Sequence, residues 1–223
     1  MQIIDSLHSV FDKKSDACNC TNDTWIVHED NEVSFKKITF HCDGACFGVV
    51  HNEFYKDIKN ITEKRSTFLK DCDCDGISFC DDGGVLQLLF VDLKSSFSEQ
   101  NITKAFKQDF FSLLKIHMML SLCEGYKLGS LLIRFFAACP PCASMDDEAI
   151  ILDRIYLSEE LDKERFENKY LMAYFKKDVF SCKMKDISFV KDKHLNEDLL
   201  DATIQFQIVT AENYGDRECV MEL

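Results

Sequence analysis

From Val85 to Val91 the chain reads VLQLLFV, too apolar to alternate, and such a run predicts a central strand covered on both faces. Just before it, Asp81-Asp82-Gly83-Gly84 is a dense turn signal, because aspartate and glycine accept the positive φ of a tight hairpin. Gly76 to Cys80 (GISFC) is then the partner strand. Upstream, Val33 to Phe40 (VSFKKITF) reads as a strand and 42–50, with Gly44 and Gly48, as a turn. A helix over 51–64 follows, with Phe54, Ile58 and Ile61 near helical spacing. Downstream, Ser96-Phe97-Ser98-Glu99 matches a capping box. It opens a helix over 99–122 whose Phe106, Phe110, Leu113, Leu114, Ile116 and Leu120 cover a wide arc, so this helix should be well buried. Gly125 and Gly129 mark its end, and Ser130 to Ala138 predicts a strand that a right-handed crossover sets parallel to the 85–91 strand. After Pro140-Pro141 the pattern predicts helices over 147–155 and 158–175, the second capped by Ser158 ahead of Glu159 and Glu160. Strands are predicted at Ile187–Val190 and Thr203–Thr210. The class is α/β: a core with an N-terminal extension over 1–145, and an acidic α+β elaboration over 146–223 packed on the same domain.

The strand that ends VDLKSS carries the chemistry. With the turn centred on Asp82-Gly83, Cys80 pairs with Val85, Asp75 lies opposite Phe90, and Asp92 is diagonal to Asp75. Side chains alternate with period two, so Asp75, Asp92 and Lys94 share one face. Diagonal partners lie about 7–8 Å apart, close enough to share one divalent cation. A one-residue bulge would carry Asp75 to the other face. Magnesium takes hard oxygen donors, typically one or two carboxylates beside waters and substrate phosphate. Asp75 and Asp92 are the candidate carboxylates, and the Leu93 carbonyl is a candidate third oxygen. Lys94 is placed to orient a water and to stabilise charge on a phosphate. Asp73 shares the face and is an alternative ligand, whereas Asp71, Asp81 and Asp82 read as turn and surface residues.

The pattern D-G-I-S-F, short hairpin, apolar strand and D-L-K-S-S resembles the PD-(D/E)XK, or restriction-endonuclease-like, nuclease superfamily over residues 45–140. The resemblance implies an α-β-β-β-α-β core and hydrolysis of nucleic-acid phosphodiester bonds, DNA first. It implies Mg²⁺ (or Mn²⁺) on Asp75 and Asp92, with Lys94 assisting the water. The proline that usually precedes the first acid is Cys74 here. Glu53 is the candidate for a glutamate that some branches carry on the preceding helix. Gln108 and Lys104 are candidates for a polar residue on the following helix.

Charge complicates that expectation. The chain of 223 residues has net charge −13, whereas nucleic-acid binders rest on basic surface. The charge is uneven: 54–70 holds five basic and two acidic residues, 95–145 five and three, and 146–223 eleven and nineteen. An acidic pocket between basic flanks fits a nuclease, and the acidic C-terminal part suggests a protein partner or homo-oligomer, as in a defence or repair complex. A non-catalytic interaction subunit on the same fold is the alternative. At 46% hydrophobic residues the chain can build a real core, and no apolar run of about twenty residues predicts a membrane span. No signal-peptide pattern opens it, so the expected location is cytoplasmic. The twelve cysteines are then expected as thiols, mostly small buried apolar residues. Structural Zn²⁺ would need Cys42/Cys46, with His41 beside them, to meet Cys139/Cys142. Two prolines inside Cys139-Pro-Pro-Cys142 argue against a redox motif. His117, within the apolar helix, reads as a hydrogen-bonded core histidine.

Overall fold

The computed structural model describes residues 20–21, 24–29, 35–42, 44, 46–50, 73–82, 84–121, 123–161, 165–191, 193–213 and 215–223. Among them two sheets and four α-helices form a mixed α/β architecture. The elements follow in the order β1 (Cys20–Thr21), β2 (Thr24–His28), β3 (Lys37–His41), β4 (Cys46–Val50), β5 (Gly76–Asp82), β6 (Val85–Leu93) and α1 (Glu99–Leu120). Then come β7 (Leu132–Cys139), α2 (Met145–Leu161), α3 (Phe166–Phe175), β8 (Phe180–Lys183), α4 (Glu197–Asp201), β9 (Thr203–Thr210) and β10 (Glu218–Glu222). The larger sheet has the order β4-β5-β6-β7-β9-β8 and the smaller β1-β2-β3-β10. β4, β5 and β6 form an antiparallel meander, while β6, β7 and β9 run parallel.

Alternation along β6 builds the layers. Leu88 and Phe90 enter the core against α1, with Ile77 and Phe79 of β5 and Phe106, Phe110 and Leu113 of the helix. Leu89, Val91 and Leu93 point the other way and meet Trp25, Val27, Ile38 and Phe40 of the smaller sheet. A strand buried on both faces is what its unbroken apolar run requires. Gly76 belongs to this second interface. A Cβ there would lie 2.6 Å from Val27 Cγ2 and 2.9 Å from Trp25 Cζ2, so the close approach of the two sheets admits only glycine without a shift. The α1 side is dense in rings: Phe106 stacks on Tyr170 at 5.7 Å and meets Phe206 edge-on at 5.1 Å.

Several expectations change. The hairpin is shifted by two residues: Cys80 pairs with Gln87 and Asp82 with Val85, not Cys80 with Val85. Gly84 takes φ +90°, and its N–H donates to Asp81 Oδ1 at 3.0 Å. A shift of two preserves every face, because the side-chain period is two. The predicted turn over 42–50 contains the edge strand β4. The long helix is capped by Ser98 at the Asn101 N–H, while Ser96 accepts from the Asn101 side chain. Position 158 lies inside α2 rather than ahead of a second helix, and the strand expected at 187–190 is a turn after β8. β7 and β9 stand where the apolar runs put them, in parallel with β6. β1, β2 and β10, which the sequence pattern did not predict, form the smaller sheet with β3, whose expected start at Val33 moves to Lys37. The expected helix 51–64, with Glu53, lies outside the described residues.

Candidate functional site

The β5–β6 ladder ends at Gly76 opposite Val91, and Asp75, in the bend just before it, brings its carboxyl to that of Asp92. Asp75 is held from both ends: its N–H donates to the Val91 carbonyl at 2.8 Å, and its Oδ2 accepts the Leu93 N–H at 2.6 Å. The N–H and C=O of one strand residue lie on the same edge, so the Leu93 carbonyl also faces Asp75.

Asp92 and Lys94 follow Leu88 and Phe90 in parity, and both are buried on the α1 side. The Lys94 ammonium donates to Asp92 Oδ1 and, at 2.8 Å, to Gln108 Oε1. Asp92 Oδ2 is buried with no hydrogen-bond partner. Burial pushes the Asp92 carboxyl up from its usual value; the charge and hydrogen bond of Lys94, then the Asp75 carboxyl, pull against that.

A stripe of polar residues on α1 sets this geometry. Gln108, Ser112 and Lys115 are spaced i, i+4, i+7, one face of a helix. Gln108 Nε2 donates to the Asp73 carbonyl at 2.7 Å, Ser112 Oγ accepts the Cys74 N–H at 2.9 Å, and the Lys115 ammonium pairs with the Asp73 carboxylate. Three ties therefore clamp residues 73–74 to the helix just before Asp75 enters the sheet. Proline has no N–H, so a proline at position 74 would lose the tie that Cys74 makes to Ser112. Asp73, read as an alternative ligand, is engaged with Lys115 instead. Lys104, one turn before Gln108, is exposed and its charge lowers the Asp92 pKa slightly.

Asp109 was not singled out from the sequence. It is fully buried, and neither carboxyl oxygen has a hydrogen-bond partner. Burial, then the charge of Asp92, raises its pKa well above 3.8, and the charge of Lys94 opposes this. The only sequence signal was an acid next to Gln108 in an apolar helix. A raised carboxyl pKa means stability that is present below the ordinary carboxylate range and is lost as pH rises through the folded-state value. Asp109→Asn removes that loss, so the variant should unfold later than wild type at neutral pH, by about 2 kcal/mol. The difference should vanish near pH 3.8 and below. Thermal unfolding across pH checks it, and an Asn variant less stable than wild type at pH 8 would refute the reading.

The remaining candidates fall outside this cluster. His41 Nδ1 meets Thr24 Oγ1 at 3.3 Å. Burial raises Cys139 strongly and Cys142 to about 11, so neither is a ready thiolate. His117, half-buried, bonds the Tyr126 hydroxyl through Nδ1 at 2.8 Å. Among the described residues no group of three or more His, Cys, Asp and Glu side chains forms a metal cage, and the acid pair is a two-carboxylate arrangement. Among them, too, no helix is long and apolar enough to cross a membrane. Compared with known proteins, the chain matches no family model, no curated protein and no solved structure.

Proposed function

We propose that this protein is a metal-dependent nuclease that hydrolyses phosphodiester bonds, DNA first, at Asp75, Asp92 and Lys94. The observation that carries the reading is the acid pair: two neighbouring carboxylates at the end of a buried hairpin, one with an oxygen, Asp92 Oδ2, that has no hydrogen-bond donor. A buried anionic oxygen without a partner is costly, and a hard divalent cation is the partner that chemistry supplies to such a pair. The residues fit that role: Asp75 and Asp92 would hold Mg²⁺ or Mn²⁺, with the Leu93 carbonyl on the same edge. A cation bound there neutralises charge on the phosphate and acidifies a water. Asp75, pinned by the Leu93 N–H, keeps its carboxylate aimed at Asp92. Lys94, held by Gln108, presents an ammonium beside the reacting phosphate, where it orients the water and stabilises the developing charge.

The run β4-β5-β6-α1-β7 follows the β-β-β-α-β part of a restriction-endonuclease-like core. The family's first helix has its place before the first core strand, and here β1 to β3 precede β4, with β9 and β8 extending the sheet beyond β7. Calorimetric titration with Mg²⁺ and Mn²⁺ tests the centre. Wild type should bind, and Asp92→Asn should lose about 100-fold or more in affinity. Equal binding by the two would overturn the reading.

A second reading, an interaction subunit on the same fold, has one observation in its favour. Helix α2 exposes Met145, Ile150 and Leu157 amid Asp146, Glu148 and Asp153. A lone monodisperse protein with strong metal-dependent turnover would count against it.

A further inference from the structure

A cleft of about 890 Å³ opens between the N-terminal half of α1 and helix α2, with the residues that lead into α3 at its side; Asp75, Asp92 and Lys94 do not line it, and Lys104 on its wall is the link to them. It lies at the end of the sheet where β6 and β7 finish, the end at which open α/β sheets bind their ligands. Its walls carry Lys104 and Lys107 from α1, Arg154 from α2, and Arg165. Glu99 at the helix start is already met by Arg154, with Arg165 at 3.9 Å. Among the described residues Lys104 and Lys107 have no carboxylate partner; Lys107 lies 5.7 Å from the Phe189 ring centroid. Asp147 and Glu167 line the cleft too, so its walls carry four basic and three acidic side chains, and among the described residues Lys104 and Lys107 are its cations outside an ion pair. They also point the right way. Lys104 is one helical turn from Gln108, which holds Lys94, and its charge is felt at Asp92. Phe97, half-buried against Tyr174 at 4.9 Å, lines the same cleft.

We infer that this cleft holds one strand of nucleic acid, with successive phosphates on Lys104 and Lys107 and a base against Phe97, and leads it to the Asp75–Asp92–Lys94 site. The inference rests on the nuclease reading of that site and adds the substrate form: a single strand or a frayed end. A cavity of this size is in the range of about 300–1,000 Å³ that encloses a small-molecule-sized ligand, enough for a short stretch of strand. Charge along the groove and a ring for stacking are the two features that single-strand sites combine.

The test is binding of labelled single-stranded DNA, single-stranded RNA and duplex DNA to the full chain in chelator, across a salt series. Wild type should prefer the single strands, and the DNA and RNA arms show which the cleft takes. Lys104→Ala/Lys107→Ala should lose at least about tenfold in single-strand affinity at low salt, and the slope of log K against log salt should fall by about 1.4, at about 0.7 per phosphate contact. Lys104→Ala alone, at an exposed position, should take half of that change. Lys127→Ala, in the segment between α1 and β7, should change neither. An unaltered slope in the double variant, or equally tight lysine-dependent binding of duplex, overturns the inference. Lysine-dependent strand binding with no cleavage in Mg²⁺ or Mn²⁺ removes the nuclease reading and keeps the cleft. Cleavage with an unaltered slope removes the cleft and keeps the nuclease reading.

Discussion

Lys94→Ala should lower metal-dependent strand cleavage about a thousandfold while leaving divalent-metal affinity within a few-fold of wild type. The ammonium is fixed by Asp92 Oδ1 and by Gln108 Oε1, so it is oriented before any substrate arrives. A donor placed where charge develops typically contributes 10² to 10³ in rate, and proton handling at the water adds to that. The carboxylates that would hold the cation remain, which is why binding and turnover should separate. Single-turnover cleavage and calorimetric metal titration on the same preparation read the two effects. Equal cleavage by both proteins would end the assignment of Lys94, and a parallel loss of metal affinity would recast it as a purely structural cation.

The largest stability effect should come from the other buried lysine. Lys115 is 1% exposed and pairs with the 7%-exposed side chain of Asp73. Removing one member of a buried pair leaves an uncompensated charge, at a cost of about 3–5 kcal/mol. Lys115→Met keeps most of the apolar stem, so the loss should report the charge rather than a cavity. For a chain of this size the expected fall in Tm is about 10 °C. Adding Asp73→Asn should recover most of it, because the stranded anion is gone. A double variant as unstable as Lys115→Met would mean that Lys115 packs rather than pairs. The pair also clamps the segment before Asp75, so Lys115→Met should weaken metal binding more than Lys127→Ala does.

These two lysines show how differently the site could be read in advance. Lys94 follows Asp92 at a spacing of two on an apolar strand, and local periodicity alone puts both on one face. The same argument survived a wrong turn assignment: Cys80 pairs with Gln87 instead of Val85, but a two-residue shift leaves every side chain facing as before. It does change who sits opposite whom, and it was the bend before Gly76, not the spacing, that brought Asp75 to Asp92. Lys115, Ser112 and Asp109 left only a faint sign, a few polar residues in a helix otherwise full of phenylalanine and leucine. Their partners are 38 to 42 positions away for Ser112 and Lys115, a separation no local pattern spans.

By itself, then, the chain determined what depends on neighbours in sequence: the apolar β6, the helix after Ser98, the parallel return of β7, and the shared face of Asp75, Asp92 and Lys94. Those follow from period two, period 3.6 and the hand of the crossover, which act over a few residues at a time. Tertiary structure alone decided the meeting of the two acid side chains, the capture of Asp73 by Lys115, the burial of Asp109, and the smaller sheet that forces glycine at position 76. It also placed Lys104 and Lys107 on one wall of a cleft between α1 and α2. Each of these is a meeting of distant segments, settled by how the two faces of one sheet are filled rather than by any single stretch of chain.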